Sequence, residues 1–193
     1  MKGRIIIKIG LLFIIAALSL TLYNVYEGYL ADQSSSMVVK QLKKKVTARD
    51  EKHVYEYSDR DMPTILIDGH YYVGWISIPS LHLDLPVMDT WSYPHLRISP
   101  CRYEGTIYKR NMVIAGHNYA RHFSRIKGLK NGTKVTFTDV EGSVFPYRIT
   151  SQDILYPTEN EKLIKESDQW DLTMFTCTWG GERRHIVRCS LEV

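Results

Sequence analysis

Residues 171–193 read DLTMFTCTWGGERRHIVRCSLEV, two apolar runs separated by the turn-forming stretch TWGGE. Side chains alternate between the faces of a strand with period two, so the second run divides into two sets. His185, Val187, Cys189, Leu191 and Val193 share one face, and Arg184, Ile186, Arg188, Ser190 and Glu192 share the other. The first set is apolar apart from His185 and is expected to face a core, which makes Cys189 a small buried hydrophobe and leaves Arg184 on the outer face. In the first run Thr173, Phe175 and Cys177 share a face, with Leu172, Met174 and Thr176 on the other. Cys177 therefore ends a strand, where a side chain is held rigidly yet can be reached from solvent. Arg184 opens the next strand across the hairpin, seven residues later.

The same texture extends upstream to Ile65 as short apolar or alternating runs punctuated by Gly, Pro and Asn, the pattern of an all-β domain. YYVGWISIP, LHLDLPV, NMVIAGH, GTKVTFTDV and SVFPYRITSQDILY join the two C-terminal runs, giving seven or eight strands in roughly 125 residues, enough for a closed barrel or a sandwich. A short helical piece, ARHFSRIKGL, is expected to end near Gly128. No internal repeat or low-complexity tract interrupts the 193 residues, a length that suits one ordinary domain with extensions.

The N-terminus supplies one of those extensions. From Ile5 to Tyr23 only Lys8 interrupts an apolar run of 19 residues, which as a helix is about 28 Å long and matches a bilayer core of ~30 Å. Lys2, Arg4 and Lys8 precede or enter it and Glu27 and Asp32 follow, so the positive-inside bias places the N-terminus in the cytoplasm and the rest outside. A cleaved signal peptide is the competing reading, since AALS offers small residues, but the apolar run is longer than such a segment needs. We divide the chain into an anchor over residues 1–24, a juxtamembrane stalk over 25–62 and a β domain over 63–193. Within the stalk Val39, Leu42 and Val46 fall at helical spacing beside a basic run from Lys40 to Lys45, which reads as a solvated amphipathic helix. The net charge of +4 is mild and otherwise spread along the chain, so nothing points to nucleic acid.

Three cysteines in an extracytoplasmic chain leave at least one unpaired, and an idle thiol is poorly kept in an oxidising setting. A thiolate nucleophile needs cationic or protonated neighbours. Arg184 offers a permanent fork of donors suited to an oxyanion, and His117, which follows the apolar run of VIAGHN, offers proton exchange near neutral pH. Taken singly, a strand Cys is usually packing, an exposed Arg solvation and a lone His locally satisfied; their joint occurrence at three strand ends favours chemistry. Metal binding by Cys177, His185 and Cys189 lacks paired spacing, and no cofactor is implied. A papain-like peptidase would carry its Cys at the start of a helix and before the His. A non-catalytic, membrane-anchored β-barrel binding module would make Cys177 a packing residue.

TMFTC resembles the T-L-x-T-C signature of sortases, with Met174 in place of the usual Leu, and VIAGHN and RRHIVRCSL are similar to that family's histidine and arginine motifs. The order and spacing match too, as do GWISIPSLHLDLPV and FSRIKGLKNGTKVTF, so the resemblance covers about residues 70–193. It implies an eight-stranded closed β-barrel and a membrane-anchored cysteine transpeptidase of Gram-positive bacteria. The implied substrates are surface proteins bearing an LPxTG-type sorting signal, cleaved after Thr and transferred to the amine of a cell-wall precursor. Carried onto this chain, Cys177 is the nucleophile, Arg184 the oxyanion partner and His117 the proton carrier, with Thr176 shaping the substrate pocket. Arg184 is preferred to Arg183 because it directly precedes HIVRC. DMPTILIDGHYY carries no aromatic lid motif and the sequence ends at Val193 without a second apolar helix, which argues against the pilin-assembling class. A housekeeping or class D-like enzyme is expected, with some class B character in VGWISIP.

Overall fold

The computed structural model describes residues 2–46, 57–120, 122–164, 169–178 and 180–192. Its centre is a closed, mainly antiparallel barrel of eight strands: β2 (His70–Ile78), β3 (Leu83–Met88), β4 (Cys101–Glu104), β5 (Met112–Gly116), β6 (Lys134–Asp139), β7 (Val144–Leu155), β8 (Leu172–Cys177) and β9 (Arg184–Leu191). A short strand β1 (Ile65–Ile67) is added as a hairpin on the start of β2. Neighbours run in the order β1-β2-β3-β4-β5-β8-β9-β7-β6, and β6 returns to pair with β2 and close the barrel. Two pairings are parallel, β3 with β4 and β5 with β8. The second of these sets strand ends from distant parts of the sequence side by side.

Closure depends on Gly74. It sits at an irregularity in β2, pairs with Asp139 of β6 and has a φ of +152°. A Cβ there would stand 2.1 Å from the carbonyl oxygen of Thr138, so only glycine lets the two backbones meet. The strand alternation then sorts the core. Met112 and Ile114 of β5, Met174 of β8, and Val187 and Cys189 of β9 point inward with Ile76, Phe137 and Tyr147, as the periodicity requires. Asp139 is fully buried and satisfied: it accepts from the Tyr108 hydroxyl at 2.8 Å and from the backbone N–H groups of Glu141 and Ser143 at 2.9 and 2.8 Å.

The N-terminal segment differs from its sequence expectation. Anchor and stalk form one uninterrupted helix, α1 (Lys2–Lys45), long and apolar enough near its start to cross a membrane, with none of that apolar window buried. The stalk portion is solvated on one face only. Val38, Val39, Leu42 and Val46 are buried against Ile67, Tyr72, Trp75, Met88 and Cys101 on the outside of the barrel. The helical spacing was correct, but burial of that stripe on the barrel outweighs solvation, at about 25 cal/mol per Å² of apolar surface removed from water. Lys43 of the basic run pairs with Asp84 at 2.6 Å. The part of the stalk over 47–56 lies outside the described residues. Between β3 and β4 lies a further short helix, α2 (Tyr93–Ile98), capped by the Ser92 hydroxyl accepting from the His95 N–H, and α3 (Glu161–Ile164) follows β7.

Candidate active site

The outer face of β5, β8 and β9 carries a second apolar cluster, in which Val113, Ala115, Phe175, Ile186, Leu155 and Leu163 are buried under the partly buried Trp91, Leu96 and Tyr103. Tyr103 meets Phe175 edge-on, with ring centroids 5.3 Å apart. Of these, Val113, Ala115 and Phe175 occupy odd positions of β5 and β8 and Ile186 an even position of β9. By the same alternation His117, Cys177 and Arg184 belong to this face.

Strand register brings the three together. Gly116 of β5 is paired with Thr176 of β8, and His117 and Cys177 each follow directly on that pair. Cys177 is in turn the direct partner of Arg184 on β9. With adjacent strands about 4.8 Å apart, the thiol is flanked by an imidazole-bearing and a guanidinium-bearing strand end. The β8–β9 turn fixes this end: the Thr178 N–H donates to the Arg183 carbonyl at 2.7 Å, and Gly180 and Gly181 take φ of +86° and +77°, which favours glycine.

The three thiols separate sharply. All are free; Cys177 is exposed, whereas Cys101 and Cys189 are buried. Burial pushes the Cys101 thiol up to about 12 and raises that of Cys189 still further, so neither forms a thiolate at neutral pH.

His117 is half-buried, and its pKa lies below the usual 6.5, first through burial and second through the Arg97 charge, with Glu27 acting in the opposite sense. The imidazolium, once formed, is therefore a stronger acid than usual. The ring stacks on Tyr119 with centroids 3.8 Å apart and planes 16° apart. Gly116 makes the loop possible: a Cβ at this position would lie 2.3 Å from the Phe123 ring, where the chain folds back over the strand end.

Arg184 is half-buried; its Nη1 donates to the Asn160 side chain, and its guanidinium carbon lies 5.2 Å from the Phe175 ring centroid. Arg183 is exposed in the turn, donating to the Tyr156 hydroxyl at 3.0 Å. Thr176 faces inward with Leu172 and Met174 and is fully buried, and its hydroxyl has no hydrogen-bond partner among the described residues. It lies beneath the surface that the other three share.

Sequence reasoning missed Tyr119, Asn160 and Lys127. Lys127 sits in the 3-10 helix Phe123–Gly128, donates to the Asn118 side chain at 2.7 Å and is lowered by burial while the nearby Cys177 opposes that shift. The parallel β5–β8 pairing, which no local periodicity announces, puts the loop of Tyr119 and Lys127 at the site, and the β7–β9 pairing of Leu155 with Arg184 brings in Asn160. Among the described residues no group of three or more His, Cys, Asp or Glu is placed to hold a metal ion.

An exposed thiol on a strand end whose two neighbouring strands end at an imidazole-bearing and a guanidinium-bearing residue suits nucleophilic acyl transfer. Comparison with known proteins points the same way. The family model described as the Sortase domain matches residues 76–192, more than half of the chain. Sortase A of Bacillus anthracis is 26% identical over 179 residues, spanning 86% of this chain and 84% of that protein. Among solved structures, the sortase D5 transpeptidase of Clostridium perfringens has a TM-score of 0.60 at 20% identity, over 83% of this chain and 99% of that one. Sortase C-1 of Actinomyces oris has a TM-score of 0.55 at 23% identity, over 62% and 73%.

Proposed function

Because the chain belongs to the sortase family, whose members are cysteine transpeptidases that anchor surface proteins, we propose that it cleaves an LPxTG-type sorting signal after Thr and transfers the protein to a cell-wall amine. The observation that carries this reading is the strand register, with Cys177 opposite Arg184 and one residue beyond the Gly116–Thr176 pair.

In this reading the Cys177 thiolate attacks the Thr carbonyl carbon, and the new C–S bond makes a tetrahedral oxyanion that Arg184 stabilises through its N–H donors. The C–N bond to Gly then breaks, and the leaving amine takes a proton from the His117 imidazolium. An incoming amine attacks the thioester, gives a proton to His117 and restores the thiolate. Thr176, packed below the nucleophile, shapes the site through the strand end it holds. Arg184 rather than Arg183 fills the oxyanion role, because Arg183 stands in the turn on Tyr156.

The membrane-length run of α1 supports an anchored enzyme. We assign a single pass, with the N-terminus cytoplasmic and the barrel outside the cell, from the basic residues Lys2, Arg4 and Lys8 ahead of the run.

The test is incubation of the full chain with an LPxTG peptide library, followed by intact mass. A thioester adduct is expected in the wild type and absent in Cys177→Ala. Undiminished cleavage by Cys177→Ala would overturn the reading and favour a non-catalytic binding module with a contaminating peptidase.

A further inference from the structure

His117 is held on one side by Tyr119, and that ring is not free. The Tyr119 hydroxyl reaches the Glu27 carboxylate on α1 at 3.4 Å, and the same carboxylate accepts from the Tyr23 hydroxyl at 2.7 Å, one helical turn earlier. A second contact docks α1 on this loop: the Ser35 hydroxyl lies 3.3 Å from Nε2 of the fully buried His122 and donates to the Ile98 carbonyl at 2.9 Å. The Tyr119 carbonyl in turn accepts from the His122 and Ser124 N–H groups, which folds the loop tightly. A cleft of about 260 Å³ between α1 and α2, lined in part by Glu27, Ala31, Arg97 and Tyr119, opens beside the stack.

We propose that Tyr119 is a positioning residue for His117, and that Glu27 on the docked helix α1 holds Tyr119 in place, so that the orientation of the imidazole depends on the membrane-proximal helix. The inference rests on the reading of His117 as the proton carrier. A ring stacked at 3.8 Å and 16° leaves the imidazole little freedom to rotate, and the Glu27 link ties that restraint to a segment about 90 residues away in sequence, since the hydrogen-bonded pair is 92 residues apart. The charged and titratable groups around His117 are Glu27 from α1, Arg97 from α2, and Tyr119 and His122 from the loop. None of the four is offered by the strand that carries His117.

The experiment uses the full chain in detergent micelles with carbon-13-labelled histidine, the His117 resonance being identified by its loss in His117→Gln. At pH 8, where the imidazole is neutral, the stacked tyrosine shifts the His117 ring protons upfield. Tyr119→Ala should abolish that shift and lower kcat/KM by about threefold to tenfold, the scale of an aromatic pair, mostly in kcat. Tyr119→Phe and Glu27→Ala should each reduce the shift equally, and the double variant should reduce it no further, as for groups acting through one bond. Tyr119→Phe keeps the volume of the ring and so remains informative where Tyr119→Ala does not fold. A wild-type shift in Tyr119→Phe and Tyr119→Ala, or a rise in kcat/KM, overturns the proposal. Loss of activity in His117→Gln with unaltered kinetics in the Tyr119 variants overturns it while leaving the proton-carrier reading standing. Wild-type turnover in His117→Gln overturns that reading instead.

Discussion

Replacing Arg184 by lysine keeps the charge at the Cys177 edge and removes the fork. Two features of the structure make the fork matter: one guanidinium nitrogen is committed to Asn160, and the guanidinium carbon sits over the Phe175 ring. The remaining N–H groups are thereby aimed by contacts that a single ammonium cannot make together. Losing one preorganised oxyanion donor costs about 2.7–4 kcal/mol, or 10²–10³ in kcat. A retained charge recovers part of that, so kcat should fall about 10²-fold in Arg184→Lys and about 10³-fold in Arg184→Ala. Asn160→Ala, which frees the guanidinium without removing it, should cost about threefold to tenfold, the scale of one hydrogen bond. Arg183→Ala, on an exposed turn residue, should stay within about threefold of the wild type. The assay is peptide cleavage with the thioester followed by mass in the same reaction, which separates acylation from release. Arg184→Lys turning over within threefold of the wild type, or Arg183→Ala losing more than Arg184→Ala, would refute the oxyanion assignment.

Two further outcomes follow from packing and burial. Gly116→Ala should lower the stability by about 1–3 kcal/mol, because the new methyl would meet the fully buried Phe123 ring at 2.3 Å; thermal unfolding should shift down by several degrees, and an unchanged midpoint would mean the loop over the strand end is not packed as described. His122 is lowered to about 4 by burial, against 6.5 in the unfolded chain. Stability is therefore complete above pH 6.5 and is lost as pH falls towards 4, because only the unfolded state takes the proton, by about 3 kcal/mol in all. Denaturant titrations at pH 7 and pH 4 should show this difference shrinking in His122→Gln, and an undiminished difference in that variant would place the acid sensitivity elsewhere.

Much of the barrel was legible because period-two alternation is a local signal. It separated Cys189 from Cys177 and Arg184 from His185 before any contact was known, and it located β2, β3 and β5 to β9. What it could not show are features whose cause is remote. β4 has four residues and meets β3 through one paired position, Met88 with Cys101, so its sequence carries almost no pattern. The apolar stripe of α1 was visible, yet its partner, a patch made by Tyr72, Trp75, Met88 and Cys101, exists only once the barrel has closed. The site shows the same division. Candidate residues on strand ends were legible by type and spacing, whereas Asn160 and Tyr119 come from loops and are marked only by contacts with residues 24 and 92 positions away.

The unbroken α1 also fixes a height. Glu27, which touches Tyr119, is four residues beyond Tyr23, a rise of about 6 Å, so with the apolar run in a bilayer Tyr119 and the His117 ring stacked on it lie at the level of the lipid headgroups rather than out in bulk solvent. In a leaflet whose anionic lipids set a surface potential of about −30 mV, protons are concentrated there, and at 59 mV per tenfold change His117 would work about half a pH unit below the medium. Rates measured in neutral micelles should then be displaced along the pH axis from those in anionic vesicles, and the displacement should vanish as salt rises.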